Sequence, residues 1–137
     1  MYPEQMTKPM AAELENAGFI SLKTPEEVVA ILDKKEGTVF LVINSVCGCA
    51  AANARPAAIH AVNAGKKPNT LVTVFAGVDN TAVAKAREYT FPFPPSSPSM
   101  AVFKDGKLVH MIERHMIEGR PTQMVANNLI AAFDEFC

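Results

Sequence analysis

Cys47 and Cys49 stand one residue apart, separated only by Gly48. A cysteine does chemistry as its thiolate, which attacks disulfides and binds soft metals. The pair follows a β-branched and aromatic run at residues 39–43, which predicts a central strand buried on both faces. It precedes an Ala-rich stretch at residues 50–64 with helical propensity. In open α/β sheets, sites gather at the carboxyl ends of strands. A helix N-terminus there exposes unpaired N–H groups and the positive end of the macrodipole, both of which favour a thiolate. A thiol of pKa about 8.5 falls to about 3.5–7.5 in such a place. Cys47 is thus the candidate nucleophile. Cys49 stands close enough to attack a mixed disulfide formed on it.

Three uses of the pair compete. As a structural staple, a loop of about three residues constrains the unfolded chain by only about 1.5–2 kcal/mol. As a metal site, the pair supplies two ligands where a closed zinc shell takes four. Cys137, His60, His110 and His115 would have to complete it through folding, since none has ligand spacing to the pair. Thiol–disulfide exchange requires only the pair, the helix terminus and access, and is the use adopted, with no metal and no bound cofactor expected. Gly48 suits it by leaving the sulfurs uncovered and tolerating the dihedrals of a very small ring.

The elements that position the pair read as follows. Residues 4–17 carry apolar Met6, Met10, Leu14 and Ala17 at helical spacing, and Gly18 ends them. Residues 19–22 suit a short edge strand. Thr24-Pro25-Glu26-Glu27 predicts a capped helix start, with Gly37 as its stop. Pro56 interrupts residues 50–64 and predicts a kink, because proline removes a backbone hydrogen bond. Residues 71–76 predict a second buried strand and residues 81–89 a helix. A Pro-rich loop at residues 91–99 leads to strands at 100–103 and 108–112, joined by Lys104-Asp105-Gly106-Lys107, a strong hairpin signal. An amphipathic helix closes the chain at residues 121–136. Alternating β and α units followed by a hairpin predict an α/β fold: a central mixed sheet with helices on both faces. Right-handed crossovers make the first three strands parallel, and the hairpin adds an antiparallel pair.

Composition narrows the function. The chain has 137 residues, 13 Lys+Arg against 14 Asp+Glu, and no Trp. Near-neutral charge argues against a nucleic-acid partner. With 49% hydrophobic residues the chain is globular, and its length predicts one domain, residues 1–137. No signal or transit pattern stands at the N-terminus and no run is long enough to span a bilayer, so a cytoplasmic location without membrane contact is expected.

The segment Ser97-Pro98-Ser99-Met100-Ala101-Val102-Phe103-Lys104-Asp105-Gly106-Lys107 resembles the stretch that follows the cis-proline of thioredoxin-fold proteins. Pro56 falls where thioredoxins kink their active-site helix. With Asn44-Ser45-Val46-Cys47-Gly48-Cys49, nearly the whole chain resembles the bacilliredoxins, small bacterial thioredoxin-like proteins with a Cys-Gly-Cys motif. The resemblance implies a thioredoxin-like fold and removal of the low-molecular-weight thiol bacillithiol from mixed disulfides on cytosolic proteins. It implies that Cys47 takes the bacillithiol, and that Cys49 or a second bacillithiol resolves the adduct. Ser97 and Pro98 would face the disulfide, a cis bond exposing the Ser97 backbone to an extended substrate segment. Bacillithiol is then a co-substrate and not a bound cofactor, and a reductase or thiol pool supplies the electrons. Weak disulfide-isomerase activity is also implied.

Two departures from thioredoxin stand out. Val46 occupies the place of the tryptophan before the first cysteine, and residues 39–43 contain no carboxylate to accept a proton. Activation of Cys47 is therefore assigned mainly to the helix terminus, and proton transfer at Cys49 to water or an unidentified group. Cys137, His60, His110 and His115 are read as incidental. The seven Met are read as core filling. Arg55 is read as a solvated helix-face residue, with attraction of an anionic thiol as the alternative. Phe91, Phe93 and Pro95 either line a groove beside the disulfide or pack within their loop.

A ring closed across one residue stores strain, and strained disulfides are more easily reduced. A redox titration of the Cys47–Cys49 couple should place it above about −270 mV, the thioredoxin value. A more negative potential overturns the expectation.

Overall fold

A computed structural model describes residues 2–137. Strand β2 (Thr38–Asn44) is buried at every position, because each of its faces meets a separate core. Side chains alternate along a strand. Phe40 and Val42 accordingly join the cluster containing Leu14, Ala54, Ala58, Leu129 and Phe133. Val39, Leu41 and Ile43 join the cluster containing Val28, Leu32, Val74 and Ala82. That division explains the unbroken apolar run.

Around β2 stand β1 (Ile20–Ser21), β3 (Thr70–Phe75), β4 (Ser99–Lys104) and β5 (Lys107–Ile112), in the order β1-β3-β2-β4-β5. β1, β3 and β2 are parallel; β4 runs antiparallel to β2, and β5 to β4. The expected mixed sheet is the observed one. Helices α1 (Glu4–Glu15), α3 (Arg55–Asn63) and α5 (Thr122–Phe136) bring buried residues to the first core. Phe40 is its hub, with ring centroids 5.7 Å from Phe19 and 5.1 Å from Phe133 in edge-on geometry. Helices α2 (Pro25–Leu32) and α4 (Asn80–Tyr89) supply the second.

The local signals act as expected. Thr24 Oγ1 accepts the Glu27 N–H at 3.2 Å, and Glu27 Oε1 accepts the Thr24 N–H at 3.1 Å. The hairpin turns at Asp105 (φ 52°) and Gly106 (φ 82°), the two positive dihedrals of a tight primed turn. A Cβ on Gly106 would meet the Lys34 carbonyl oxygen at 3.0 Å. The methionines depart from expectation. Among the described residues only Met100 is a fully buried methionine, whereas Met6 and Met124 lie on outer helix faces, 42% and 54% exposed.

The helix carrying the cysteine motif starts unevenly. Residues Ala50–Ala54 form a π-helical turn before α3 continues in α-geometry, with Pro56 at its second position. The change of helix type falls where a kink is expected. Pro56 has no N–H, so it offers no hydrogen bond to the carbonyl of Ala52, four residues earlier. The Thr122 hydroxyl, at the first residue of α5, donates to that carbonyl at 2.9 Å. Asn53 Nδ2 donates to the Ile117 carbonyl at 3.2 Å just before α5. Buried Ala54, Ala57, Ala58 and Ala61 let α3 lie close to its neighbours.

Replacing Thr122 by Val removes this cap while keeping the shape. Chemical denaturation should show a loss of about 1 kcal/mol, the usual net worth of one hydrogen bond. An unchanged midpoint overturns this account of the π-turn.

Candidate active site

A relay of polar groups sets the course of the chain from β2 into the motif. Asn44 Oδ1 accepts the Ser45 N–H at 2.8 Å, and Ser45 Oγ accepts the Cys47 N–H at 3.0 Å. The Cys47 carbonyl then accepts from the Ala50 and Ala51 N–H groups at 2.9 and 3.4 Å. Cys47 thereby occupies the position of an N-cap residue, with its sulfur over the first turn.

Arg55 corrects the expectation of a solvated side chain. It is 1% exposed. Its Nη1 donates to Asn44 Oδ1 and to the Ser45 carbonyl, both at 3.0 Å, and its Nε pairs with Glu13 Oε1 of α1 at 3.1 Å. A buried guanidinium is tolerated only when its donors find partners in the right directions. Here they fix the end of β2, the turn before Cys47 and helix α1 against α3. Arg55 therefore holds the motif in place and does not reach the sulfurs.

Cys47 and Cys49 are both partly buried free cysteines, with their sulfurs 2.7 Å apart. The Cys49 N–H donates to Cys47 Sγ at 3.4 Å. A further donor comes from Arg114, in the 3₁₀ turn (Arg114–Met116) after β5, whose Nη2 lies 3.2 Å from Cys47 Sγ. The same guanidinium donates to the Ser97 carbonyl at 3.2 Å and to Glu118 Oε2 at 3.0 and 2.8 Å. Sequence reasoning missed Arg114 and Glu118. Their only local signal is an i,i+4 charge pair in a short connection, which says nothing of what the turn covers.

This arrangement polarises the dithiol. The Cys47 thiol is held below its ordinary value, first by the hydrogen bond from the Cys49 thiol, against the penalty of burial. The Cys49 N–H, the Arg114 charge and the Ala50 N–H help in turn. Cys49 is pushed up to about 11, by burial, by donating to Cys47, and by the negative charges of Cys47 and Glu118, with Arg114 opposing. The assignment of activation mainly to the helix terminus is thus corrected. The second thiol contributes most, and the helix terminus shares the remainder with Arg114. Of the two thiols, Cys47 is therefore the one that ionises first, beside a Cys49 that holds its proton.

The remaining expectations sort by position. The Ser97–Pro98 peptide bond is cis, and its Ser97 carbonyl is joined to the site through Arg114. A Cβ on Gly48 would meet nothing within 4 Å, so the dithiol state leaves room for a side chain there. A groove of about 310 Å³ opens beside Arg114, lined by Pro94, Pro95 and Ser96 on one side and Glu113, His115 and Glu118 on the other. Phe91 and Phe93 are not among its lining residues and stand 79% and 39% exposed. His110 bonds Asn128 at 2.7 Å, His60 is exposed, and His115 faces Glu113 at 3.2 Å. Cys137 is exposed and free at the chain end. Among the described residues, the group with metal-ligand spacing is Cys47, Cys49 and Glu118, and the other cysteine and the histidines do not join it. That group is one donor short of a closed zinc shell, and Arg114 already bonds two of the three. A larger cavity of about 430 Å³, lined by Tyr2, Glu15, Lys23 and Asp79 among others, shares no residue with the site.

Comparison with known proteins agrees with the geometry. The fold resembles thioredoxin from Malassezia sympodialis, with a TM-score of 0.58 at 13% identity over 87% of this chain and 90% of that one. It resembles thioredoxin from Aeropyrum pernix with a TM-score of 0.55 at 18% identity, over 80% and 84% of the two chains. A thioredoxin fold with two adjacent thiols at the end of its central strand defines a thiol–disulfide oxidoreductase. Residues 2–137 match the family described as Disulphide isomerase. The chain is 61% identical to a bacilliredoxin of Cytophaga hutchinsonii, over 98% of its own length and 99% of that protein. It is 53% identical to one of Geobacillus kaustophilus, over 99% and 94%. The chain belongs to the bacilliredoxin family.

The order of causes at Cys47 is measurable through thiolate absorbance. In a Cys137→Ser background, the first thiolate should form below the ordinary cysteine value as pH rises, and the second only near 11. Cys49→Ala should move the Cys47 midpoint upward further than Arg114→Gln does, because the Cys49 hydrogen bond is the larger influence. Equal shifts, or none in Cys49→Ala, overturn the assignment.

Proposed function

We propose that the chain reduces mixed disulfides between cytoplasmic proteins and bacillithiol, with Cys47 as nucleophile and Cys49 as resolving thiol. The observation that carries the reading is the polarised pair: the nucleophile's thiol is held below its ordinary value while its neighbour's is pushed up to about 11. A thiolate near ambient pH is both populated and nucleophilic.

The reaction balances as two exchanges. The Cys47 thiolate attacks the bacillithiol sulfur of the mixed disulfide, and the target protein's sulfur leaves as a thiolate. Cys49 then loses its proton and attacks Cys47 Sγ, which releases bacillithiol thiolate and leaves a Cys47–Cys49 disulfide. Attack by a second bacillithiol is the other exit and frees Cys47 directly. A reductase or a thiol pool supplies two electrons to restore the dithiol.

Arg114 faces the nucleophile and offers its positive charge to the anionic sulfurs of both exchanges. The groove beside it accommodates the thiol's remainder. Gly48 leaves the sulfur open, and the Ser97–Pro98 loop presents backbone to an extended protein segment. Names of the relatives support bacillithiol as the thiol removed. The description Disulphide isomerase favours one second reading, rearrangement of protein disulfides by the same Cys47 attack.

A Cys49→Ala variant mixed with a bacillithiol-modified protein should gain the mass of one bacillithiol on Cys47, detected by intact mass spectrometry. Transfer of the protein instead, as a covalent complex through Cys47, supports the isomerase reading. No adduct with either overturns both.

A further inference from the structure

Resolution by Cys49 requires that its thiol lose a proton, and β2 carries no acid beneath the site to take it. Glu118, from the segment after β5, stands beside the sulfurs instead. One of its carboxylate oxygens and the two cysteine sulfurs all lie within 4.8 Å of one another. Both bonds from Arg114 end on Oε2, while Oε1 accepts no hydrogen bond from the described residues. The side chain is 57% exposed, so a proton gained from the interior can pass on to water.

We propose that Glu118 is the base of the resolving step: its carboxylate receives the Cys49 proton as Cys49 attacks the disulfide on Cys47. The proposal rests on the roles given to the two cysteines above. In the step, the S–H bond of Cys49 breaks and the proton passes to Glu118, directly or through one water, a reach within which proton transfer operates. The freed electron pair forms the Cys49–Cys47 bond, the bond from Cys47 to the departing thiol breaks, and that thiol leaves as a thiolate. Glu118 then returns the proton to solvent or to the departing sulfur.

Charge accounting favours this acceptor. Once Cys47 is in a disulfide its negative charge is gone, and Arg114 keeps Glu118 as its remaining anionic partner. A bare thiolate on Cys49 beside an ionised Glu118 sets two negative charges within 4.8 Å. Moving the proton from sulfur to carboxylate keeps a single negative charge on the pair, with Arg114 to balance it. The contribution of Glu118 to the raised pKa of Cys49 is the same coupling seen from the thiol. A carboxylate near enough to disfavour the thiolate is near enough to relieve it.

The two exchanges separate with a coloured aryl disulfide, dithiobis-nitrobenzoate. In a Cys137→Ser background, which removes the exposed third thiol, attack by Cys47 releases one nitrothiobenzoate, and attack by Cys49 releases the second. In stopped flow, Glu118→Gln, which keeps an oxygen for Arg114 but is no base, should slow the second release roughly tenfold near pH 7. The first release should fall by much less, the deficit should narrow as pH rises and hydroxide takes the proton, and Glu118→Asp should restore part of the rate. A second release unaffected at every pH overturns the proposal. A loss shared equally by both releases also overturns it, and makes Glu118 a tether for Arg114 only. If the parent chain shows no first release, the nucleophile assignment fails, and this proposal with it.

Discussion

The buried guanidinium of Arg55 joins Glu13 of α1, Asn44 at the end of β2 and the Ser45 carbonyl before the motif to one side chain of α3. Taking that charge out of water costs several kcal/mol unless it is compensated. Its Nε and Nη1 find their partners only when helix, strand end and turn hold this arrangement. The constraint works in both directions: the guanidinium is satisfied by the fold, and the fold has one place for Cys47. Everything chemical at the site follows from that placement. The sulfur stands over the first helical turn, within reach of a backbone N–H, a second thiol and Arg114.

The second consequence is electrostatic. Thioredoxin-like exchange requires that one sulfur ionise before the other; here the second thiol is the larger influence, and charges above the sheet add to it. Arg114 reaches down from the turn after β5 and holds the nucleophile, the cis-proline loop and Glu118 together. The exposed ion pair with Glu118 adds little to stability. Its value lies in where it stands. Because both charges remain open to solvent, a substrate sulfur can reach Cys47 without burying an unpaired ion.

The segment between β5 and α5 therefore does more than connect. Arg114 and Glu118 face the thiols, the Ile117 carbonyl holds Asn53, and Thr122 caps the carbonyl freed by Pro56. The helix beginning at the motif and the turn above it are tied at both ends. A proline that interrupts one helix is thus accommodated by the first residue of another, some seventy positions along the chain.

Much of this was legible in the sequence, wherever the physics is local or periodic. The capping box at Thr24, the Asp105-Gly106 turn, the doubly buried run of β2 and the Cys47-Gly48-Cys49 pair each follow from a few adjacent residues or a repeat of two. Those signals determine the α/β class, the strand directions and the redox pair. Arg55, Arg114 and Glu118 were not legible, since an arginine on a helix or in a turn reads as solvated until its partners are known. The pairs Arg55–Asn44 and Arg114–Cys47 join residues 11 and 67 positions apart. Met6 and Met124 show the converse, apolar residues whose helical spacing does not reveal how wide a stripe the core will take. The sequence by itself determined which groups react and which elements carry them. Only the tertiary structure decided which charges surround the thiols, because an ion's partners are set by distance in space.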